Sequence, residues 1–196
     1  MTPDRWRELL STWSTEIIAI EEYRQELPPE VVASGWLGYP PATPSEIAAV
    51  EERLGIALPP SYRAFLSVTN GWRMTTTFIK RVRPVGEVAW YRDVEPELLA
   101  IWLEAEQSPM DQRVKTDHTN TTGYGLQAAL TVSDYGDGMY MLIPQRIAAN
   151  GEWPAWFFAP WVPGEREHAS FWDLMVRERE KFLYVEQDRH ERGERD

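Results

Sequence analysis

Residues 41–71 constrain the fold of this chain most, because they encode two short helices joined by a rigid turn. Thr43 and Glu46 have the spacing of a capping box, in which each side chain accepts a hydrogen bond from the other residue's backbone amide. Pro44 suits the first position of a helix, where no amide hydrogen is needed. The pattern therefore predicts that a helix begins at Pro44.

The same segment indicates where each helix ends. Ile47, Val50 and Leu54 share one helical face, and Gly55 follows where a left-handed terminating residue is expected. A second helix is predicted over 60–69, because a Pro-Pro pair precedes it and an Asn-Gly pair follows it. Helices this short do not persist alone in water, so both must pack on a larger structure, which we expect to be a sheet.

Apolar runs later in the chain provide candidate strands and helices for that architecture. Alternating, β-branched or aromatic residues bounded by turn residues predict strands, and apolar residues at steps of three and four predict helices. Residues 75–79 and 81–85 predict a hairpin or two short strands, which 87–91 would extend, and further strands are predicted over 126–132, 139–143 and 153–161. The predicted helices are 96–106 and one capped by Ser170, with a polar loop over 111–125. The predicted fold class is α+β, with helices packed on a mostly antiparallel sheet.

The two ends of the chain differ from its centre. Apolar residues at helical spacing from Trp6 to Leu27 predict an N-terminal helix of about six turns, which ends at paired prolines. Its stripe either packs on its own domain or binds a partner helix or a second copy of the chain. Residues 31–41 read as a loop, and the charged segment from Glu186 reads as a frayed tail. The predicted division is a helix and loop over 1–40, an α+β domain over 41–184 and a charged tail over 185–196.

Composition limits the classes of partner and of chemistry. With 196 residues and no cysteine, the chain can bury a core without disulfides, and it has no thiol nucleophile or thiolate metal site. The formal net charge of -11 disfavours binding to nucleic acid or anionic membranes and favours a basic protein partner, although many proteins are acidic for solubility alone. No apolar run is long enough to span a bilayer, so we expect a cytoplasmic protein.

Motifs for catalysis or cofactor binding are missing from the sequence. It has no nucleophile elbow, no glycine-rich phosphate loop with a lysine and no dinucleotide fingerprint. His118, His168 and His190 are too widely spaced for a helical zinc site, and no cysteine is available to assist them. We therefore predict no catalytic residue, no metal site and no cofactor. A hydrolase that uses two facing carboxylates is the third functional hypothesis.

An acidic turn and a run of aromatic residues are the candidate partner contacts. Asp134 and Asp137 flank Tyr135, and the residues after them do not continue a calcium loop, so a tight hairpin turn is the preferred interpretation. Trp156, Phe157 and Phe158 break strict alternation, which predicts a strand buried on both faces or one that shows an aromatic ring to a partner. An exposed aromatic residue beside acidic residues would suit an interface. The residues proposed to contact a partner are Asp134, Tyr135, Asp137, Trp161 and Glu165.

Four motifs in order resemble the SUKH superfamily, which groups fungal cell-wall-assembly regulators with many bacterial toxin-immunity proteins. The first two are a capped helix carrying E-x-x-L-G and then L-P-x-x-Y-x-x-F-L before N-G. The others are S-D-Y-G-D-G-M-Y-M-L from Ser133 and P-G-E-R-E-H-A-S-F-W-D-L-M from Pro163. The resemblance covers residues 41–182 and leaves out the first forty residues and the charged tail.

The resemblance implies a non-enzymatic, intracellular protein that works by binding other proteins. It suggests an immunity protein that binds and neutralises a cognate toxin, for example a nuclease, by covering the toxin's basic surface. The alternative is a regulatory adaptor of cell-wall assembly or signalling, which would bind several partners weakly. The expected partners are a cognate toxin or another basic protein, with no nucleic acid and no membrane, and a homodimer is also considered.

Overall fold

The computed structural model describes residues 1–76, 78–107, 122–159 and 165–193. The first helices are α1 (Pro3–Ala19), α2 (Glu21–Glu26), α3 (Pro29–Ser34), α4 (Pro44–Leu54) and α5 (Pro60–Leu66). The middle elements are β1 (Trp72–Arg73), β2 (Arg81–Val82), a 3-10 turn (Val85–Glu87), β3 (Ala89–Trp90), α6 (Tyr91–Val94) and α7 (Pro96–Gln107). The last elements are α8 (Thr122–Gln127), β4 (Leu130–Thr131), β5 (Met139–Leu142), a 3-10 turn (Pro144–Arg146), β6 (Ala155–Phe158), β7 (Arg166–His168) and α9 (Phe171–Glu191).

Five antiparallel strands form the central sheet. Strands β3 to β7 lie side by side in sequence order, and β1 and β2 form a separate antiparallel pair. The longest pairing joins β5 and β6, where Met139 is opposite Phe158 and Leu142 is opposite Ala155. Together with the helices on the sheet, this arrangement confirms the predicted α+β class and its mostly antiparallel sheet.

Alternating side chains of the central strands enter two separate cores. Tyr140 and Phe157 belong to the larger core, which also contains residues of α1, α4, α5 and α9. Met141, Trp156 and Phe158 point to the other face, where they pack with residues of α6, α7 and α8. Side chains alternate along a strand, so a strand with helices on both faces has no polar side. This confirms that the aromatic run is buried on both faces of its strand.

The predicted capping signals of α4 are present. The Thr43 hydroxyl accepts a hydrogen bond of 3.2 Å from the Glu46 amide, and the Glu46 carboxylate accepts one of 2.7 Å from the Thr43 amide. Gly55 ends the helix with a left-handed φ of 72°. Helix α5 ends at Leu66, three residues earlier than predicted, because the Leu66 oxygen accepts a hydrogen bond of 2.9 Å from the Ala42 amide and the Asn70 amide donates one of 3.1 Å to the Pro40 oxygen. In a continuing helix these two groups would bond to each other.

The N-terminal stripe packs on its own domain, although not as one helix. Trp6 donates an indole hydrogen bond of 3.0 Å to the backbone oxygen of Ser61, and its ring lies 5.2 Å from the ring of Phe65. The predicted single helix is broken at Ile20, whose ψ of 118° is extended. The predicted loop over 31–41 is also partly wrong, since α3 runs to Ser34 before the chain leaves helical geometry.

Of the two alternatives for residues 75–85, the hairpin is the one present, since β1 and β2 pair and the Thr75 amide donates a hydrogen bond of 2.9 Å to the Ile79 oxygen. Two other expectations need correction. The predicted loop over 111–125 lies partly outside the described residues, and its end belongs to α8. Helix α9 continues to Glu191 and does not fray from Glu186, because Glu186 is buried against α2.

No helix among the residues described is long and apolar enough to cross a bilayer. The division of the chain at residues 40 and 184 stays a prediction.

Candidate partner-binding surface

The turn between β4 and β5 contains three of the predicted contact residues. Tyr135 is 46% exposed and Asp137 is also exposed. The Asp134 carboxylate, in contrast, accepts hydrogen bonds of 2.6 Å from Arg81 and 2.9 Å from Arg83. The hydrogen bond from Arg81 is the main reason why the pKa of Asp134 lies below its ordinary value. Asp134 therefore ties β2 to the turn, and its charge is matched within the chain.

A cavity of about 250 Å³ opens between α2, Thr76 and Phe78 of the turn between β1 and β2, strands β6 and β7, and α9 from Glu178 onward. We call it the aromatic cavity, because five of its lining residues are aromatic. Its lining residues are Tyr23, Thr76, Phe78, Phe157, Arg166, Glu178, Lys181, Phe182, Tyr184, Val185 and Glu186. These residues come from parts of the chain that are far apart in sequence, so only the folded chain creates this site.

One of the two acidic residues of the cavity, Glu178, is 1% exposed. It accepts a hydrogen bond of 2.9 Å from the phenol of Tyr140 and forms an ion pair with Lys181. The Lys181 ammonium also lies 4.9 Å from the centre of the Phe157 ring, within the range of a cation–π contact. Burial is the main cause that raises the pKa of Tyr140, with the Glu178 charge adding to it, so its phenol stays protonated and can donate to the carboxylate.

Glu186, the other acidic residue, joins α9 to α2. Its carboxylate accepts a hydrogen bond of 2.6 Å from the phenol of Tyr23 and lies 3.6 Å from the guanidinium of Arg189. Arg189 also pairs with Glu22 at 3.0 Å. Because a buried charge is costly unless it is paired and hydrogen-bonded, these contacts account for a carboxylate on this wall of the cavity.

Large apolar side chains at the mouth of the cavity are open to solvent. Phe78 is 41% exposed, Tyr184 is 72% exposed and Val185 is 45% exposed. Single exposed apolar residues are ordinary, but a group of them around a concave site is typical of a surface that another molecule covers. The mouth is therefore the part of this surface best suited to binding.

None of the predicted contact residues that the structure describes lines the aromatic cavity, but some lie next to residues that do. A Cβ atom at Gly136 would stand 2.8 Å from the backbone oxygen of Phe78, so the acidic turn packs closely on a residue of the mouth. Glu165 is half-buried and directly precedes Arg166, which lines the cavity. Trp161, the remaining predicted contact, lies outside the described residues. The structure thus places the acidic turn against Phe78 of the cavity, whereas Glu165 is linked to it only through its neighbour Arg166.

Sequence reasoning missed the residues of the cavity itself. One signal was available in the four consecutive apolar residues from Phe182 to Val185, because a helix cannot turn four successive side chains to the same core. Phe182 is buried while Tyr184 and Val185 are exposed, as that argument requires. No comparable signal marks Tyr23 or Phe78, whose roles depend on contacts between distant segments.

The buried acids of the described part of the chain act as structural acceptors. Glu152 accepts hydrogen bonds from the Ser61 amide at 2.9 Å and from the Ser61 hydroxyl at 2.6 Å. Burial lowers the pKa of His168, which favours the neutral imidazole. Within the described residues, no group of three His, Cys, Asp or Glu side chains is placed to hold a metal ion. The arrangement presents a shaped surface, and its carboxylates are engaged in holding the fold.

The comparison with known families agrees with this architecture. No curated protein matches the chain. The model of the SMI1 / KNR4 family (SUKH-1) matches residues 41–178, from three residues before α4 into the first half of α9. This segment is more than half of the 196 residues and includes all four motifs that carry the resemblance. The chain therefore belongs to the SMI1 / KNR4 family (SUKH-1).

Proposed function

We propose that this protein is an immunity protein that binds and neutralises a cognate bacterial toxin, as bacterial members of the SUKH superfamily do. Its family is in general non-enzymatic and comprises immunity proteins and regulators. The observation that carries the proposal is the aromatic cavity, whose exposed apolar mouth lies beside the acidic turn. A concave site with exposed aromatic residues and charged neighbours has the anatomy of a protein interface.

The protein neutralises the toxin by covering its working surface. The toxin's working surface packs over the mouth of the cavity and over the exposed side chains of Tyr135 and Asp137, so the toxin cannot reach its substrate. The net charge of -11 attracts a basic toxin over a distance and raises the rate of association. A nuclease fits this description, because a surface that binds nucleic acid is itself basic.

Co-expression with a toxin gene from the same locus tests the proposal. Cells that produce the toxin domain alone are expected to stop growing, and cells that also produce this protein are expected to survive. A Tyr135→Ala, Asp137→Asn double variant should protect less well, and Ser45→Ala, at an exposed position of α4, serves as the control. Equal killing with and without the wild-type protein would rule out the immunity function.

The regulatory adaptor is the second candidate, and the observation that favours it is the match to the SMI1 / KNR4 family model. An adaptor binds several partners weakly, whereas an immunity protein binds one partner tightly. Capture of bound proteins from the native cell, followed by mass spectrometry and affinity measurement, separates these two functions. One dominant partner with a nanomolar dissociation constant supports immunity, and several micromolar partners support the adaptor.

A further inference from the structure

We infer that the aromatic cavity receives one large apolar side chain of the partner protein, so the anchor of the complex is apolar although the protein as a whole is acidic. This inference rests on the proposed function, because it specifies how the same surface holds the toxin. It differs from a purely electrostatic interface, in which a lysine or arginine of the basic toxin would be the residue that enters the cavity.

The size of the cavity fits a side chain better than a cofactor. Its volume is about 250 Å³. Pockets for drug-sized ligands and cofactors have volumes of about 300–1,000 Å³, and one water molecule occupies about 30 Å³ of liquid. A space of this size accommodates one leucine, methionine or phenylalanine side chain and little else.

The charges around the cavity exclude a basic anchor. Among the lining residues that the structure describes, Glu178 and Glu186 are acidic and Arg166 and Lys181 are basic, so these four charges balance. Both carboxylates already accept a hydrogen bond from a buried phenol and lie beside a cation of this chain. A further cation would lose its hydration and meet Arg166 and Lys181, while the two acids of the described lining are already paired.

The walls and the mouth favour an apolar or aromatic group. Phe157 and Phe182 form buried walls, and Phe78, Tyr184 and Val185 leave apolar surface exposed at the mouth. A side chain that fills such a site removes this surface from water, and residues in fully desolvated pockets are the ones that dominate binding energy at interfaces. The basic residues of the toxin are then left for the acidic turn outside the cavity, where the Asp137 side chain is exposed.

A titration with side-chain analogues tests the chemistry of the cavity without any partner. Toluene mimics phenylalanine, n-butylammonium mimics lysine and methylguanidinium mimics arginine. We expect toluene to shift the NMR signals of Phe157, Phe182 and Val185 in a saturable manner, and the two cations to shift none of them. Saturable binding of either cation at these signals, or no shift with toluene, would overturn the inference.

Variants at the mouth test the same inference in the complex. Tyr184→Ala removes apolar surface at the mouth, and Val185→Trp fills the mouth. Both residues are exposed enough for the fold to tolerate the change. Each is expected to raise the dissociation constant for the toxin domain about thirtyfold, the usual effect of losing an interface hot spot. Ile147→Ala is the matched control, because Ile147 is 52% exposed and does not line the cavity.

The outcomes separate the inference from the proposed function. If the wild-type protein binds the toxin and both mouth variants bind it equally well, the inference is wrong and the immunity function stands. If the wild-type protein does not bind the toxin, the immunity function is wrong, and the titration with toluene and the cations still decides which chemistry the cavity accepts. Circular dichroism of each variant confirms that the fold is intact.

Discussion

The phenol of Tyr140 on the central strand β5 donates a hydrogen bond of 2.9 Å to the carboxylate of Glu178 on α9. Thr75, in the turn between β1 and β2, shares a hydrogen bond of 2.9 Å with the same phenol. One buried hydroxyl therefore connects the sheet, the last helix and the turn that carries Phe78. This contact sets one wall of the aromatic cavity and the position of its mouth.

Replacing Tyr140 by phenylalanine should destabilise the fold by about 2 kcal/mol, because the buried Glu178 carboxylate and the Thr75 hydroxyl each lose a hydrogen-bond partner. Urea unfolding measures the change. Tyr135→Phe is the matched control, since Tyr135 is exposed and its hydroxyl has access to water. A Tyr140→Phe variant as stable as the wild type to within about 0.5 kcal/mol would contradict this role.

Asp134 should make stability depend on pH at the acid end. Its pKa is lowered in the folded state from the ordinary value of 3.8, so its contribution is complete above that pH and is lost as the pH falls through the lower folded-state pKa. The difference in unfolding free energy between the wild type and Asp134→Asn should therefore be largest above pH 3.8 and should shrink as acid is added. Urea unfolding at several pH values measures it.

The control for Asp134 is Asp4→Asn, because the side chain of Asp4 is 91% exposed in its pair with Arg7. Exposed pairs of this kind contribute little, so this variant should unfold like the wild type at every pH. A difference for Asp134→Asn that stays constant with pH would show that its ion pairs with Arg81 and Arg83 do not stabilise the fold.

Gly71 should tolerate no side chain. Its φ is 101°, and a Cβ atom would stand 2.8 Å from the backbone oxygen of Val82 on the paired strand. Gly71→Ala should therefore cost about 3 kcal/mol, from backbone strain and from the close contact together. Gly35→Ala is the control with strain alone, since its φ is 67° and nothing lies within 4 Å of the added carbon. We expect it to cost about 1 kcal/mol, and equal costs at both positions would contradict the close-contact argument.

The contribution of the α4 capping box to stability should be measurable with a single substitution. Thr43→Ala leaves the Glu46 amide without its acceptor, which should cost about 1 kcal/mol of unfolding free energy. Thr12→Ala is the comparison, because its exposed hydroxyl only donates to the Glu8 oxygen within α1, a contact that does not favour a helix. Chemical unfolding of both variants checks the prediction, which fails if Thr12→Ala is the more damaging change.

Association with a basic toxin should depend strongly on salt. Salt shortens the distance over which the net charge of -11 attracts a basic partner. Raising the ionic strength from about 0.02 M to about 0.3 M should therefore lower the association rate about tenfold. The dissociation rate should change little, because it reflects the apolar contact at the cavity. Stopped-flow or surface-plasmon kinetics separate these rates, and an association rate independent of salt would argue against charge-assisted binding.

Much of the fold could be predicted because its signals are local. The Thr43 capping box and the left-handed Gly55 depend on neighbouring residues, and both are present where the sequence places them. The burial of Trp156 and Phe157 on opposite faces follows from the two-residue period of a strand. Such features depend on a few residues that are close in sequence, so the sequence alone is sufficient to predict them.

Other features depended on packing between distant segments. The helical spacing of apolar residues continues past Ile20 and past Leu66, yet the helices end at these positions. These two ends therefore depend on the contacts of the folded chain. The sequence marks Asp134 as a candidate partner contact, but it does not reveal that Arg81 and Arg83 bind the Asp134 carboxylate. Its role within the fold is thus a product of tertiary structure.

The candidate site shows most clearly the difference between local sequence signals and contacts of distant segments. From the sequence alone came the family resemblance, the α+β class, the acidic charge and the turn at Tyr135. The tertiary structure alone decided that Tyr23 and Glu186, 163 positions apart, meet at one wall of a cavity. The physical reason is that helix caps and strand alternation are governed by neighbouring residues, whereas a cavity exists only where segments distant in sequence pack together and leave space between them.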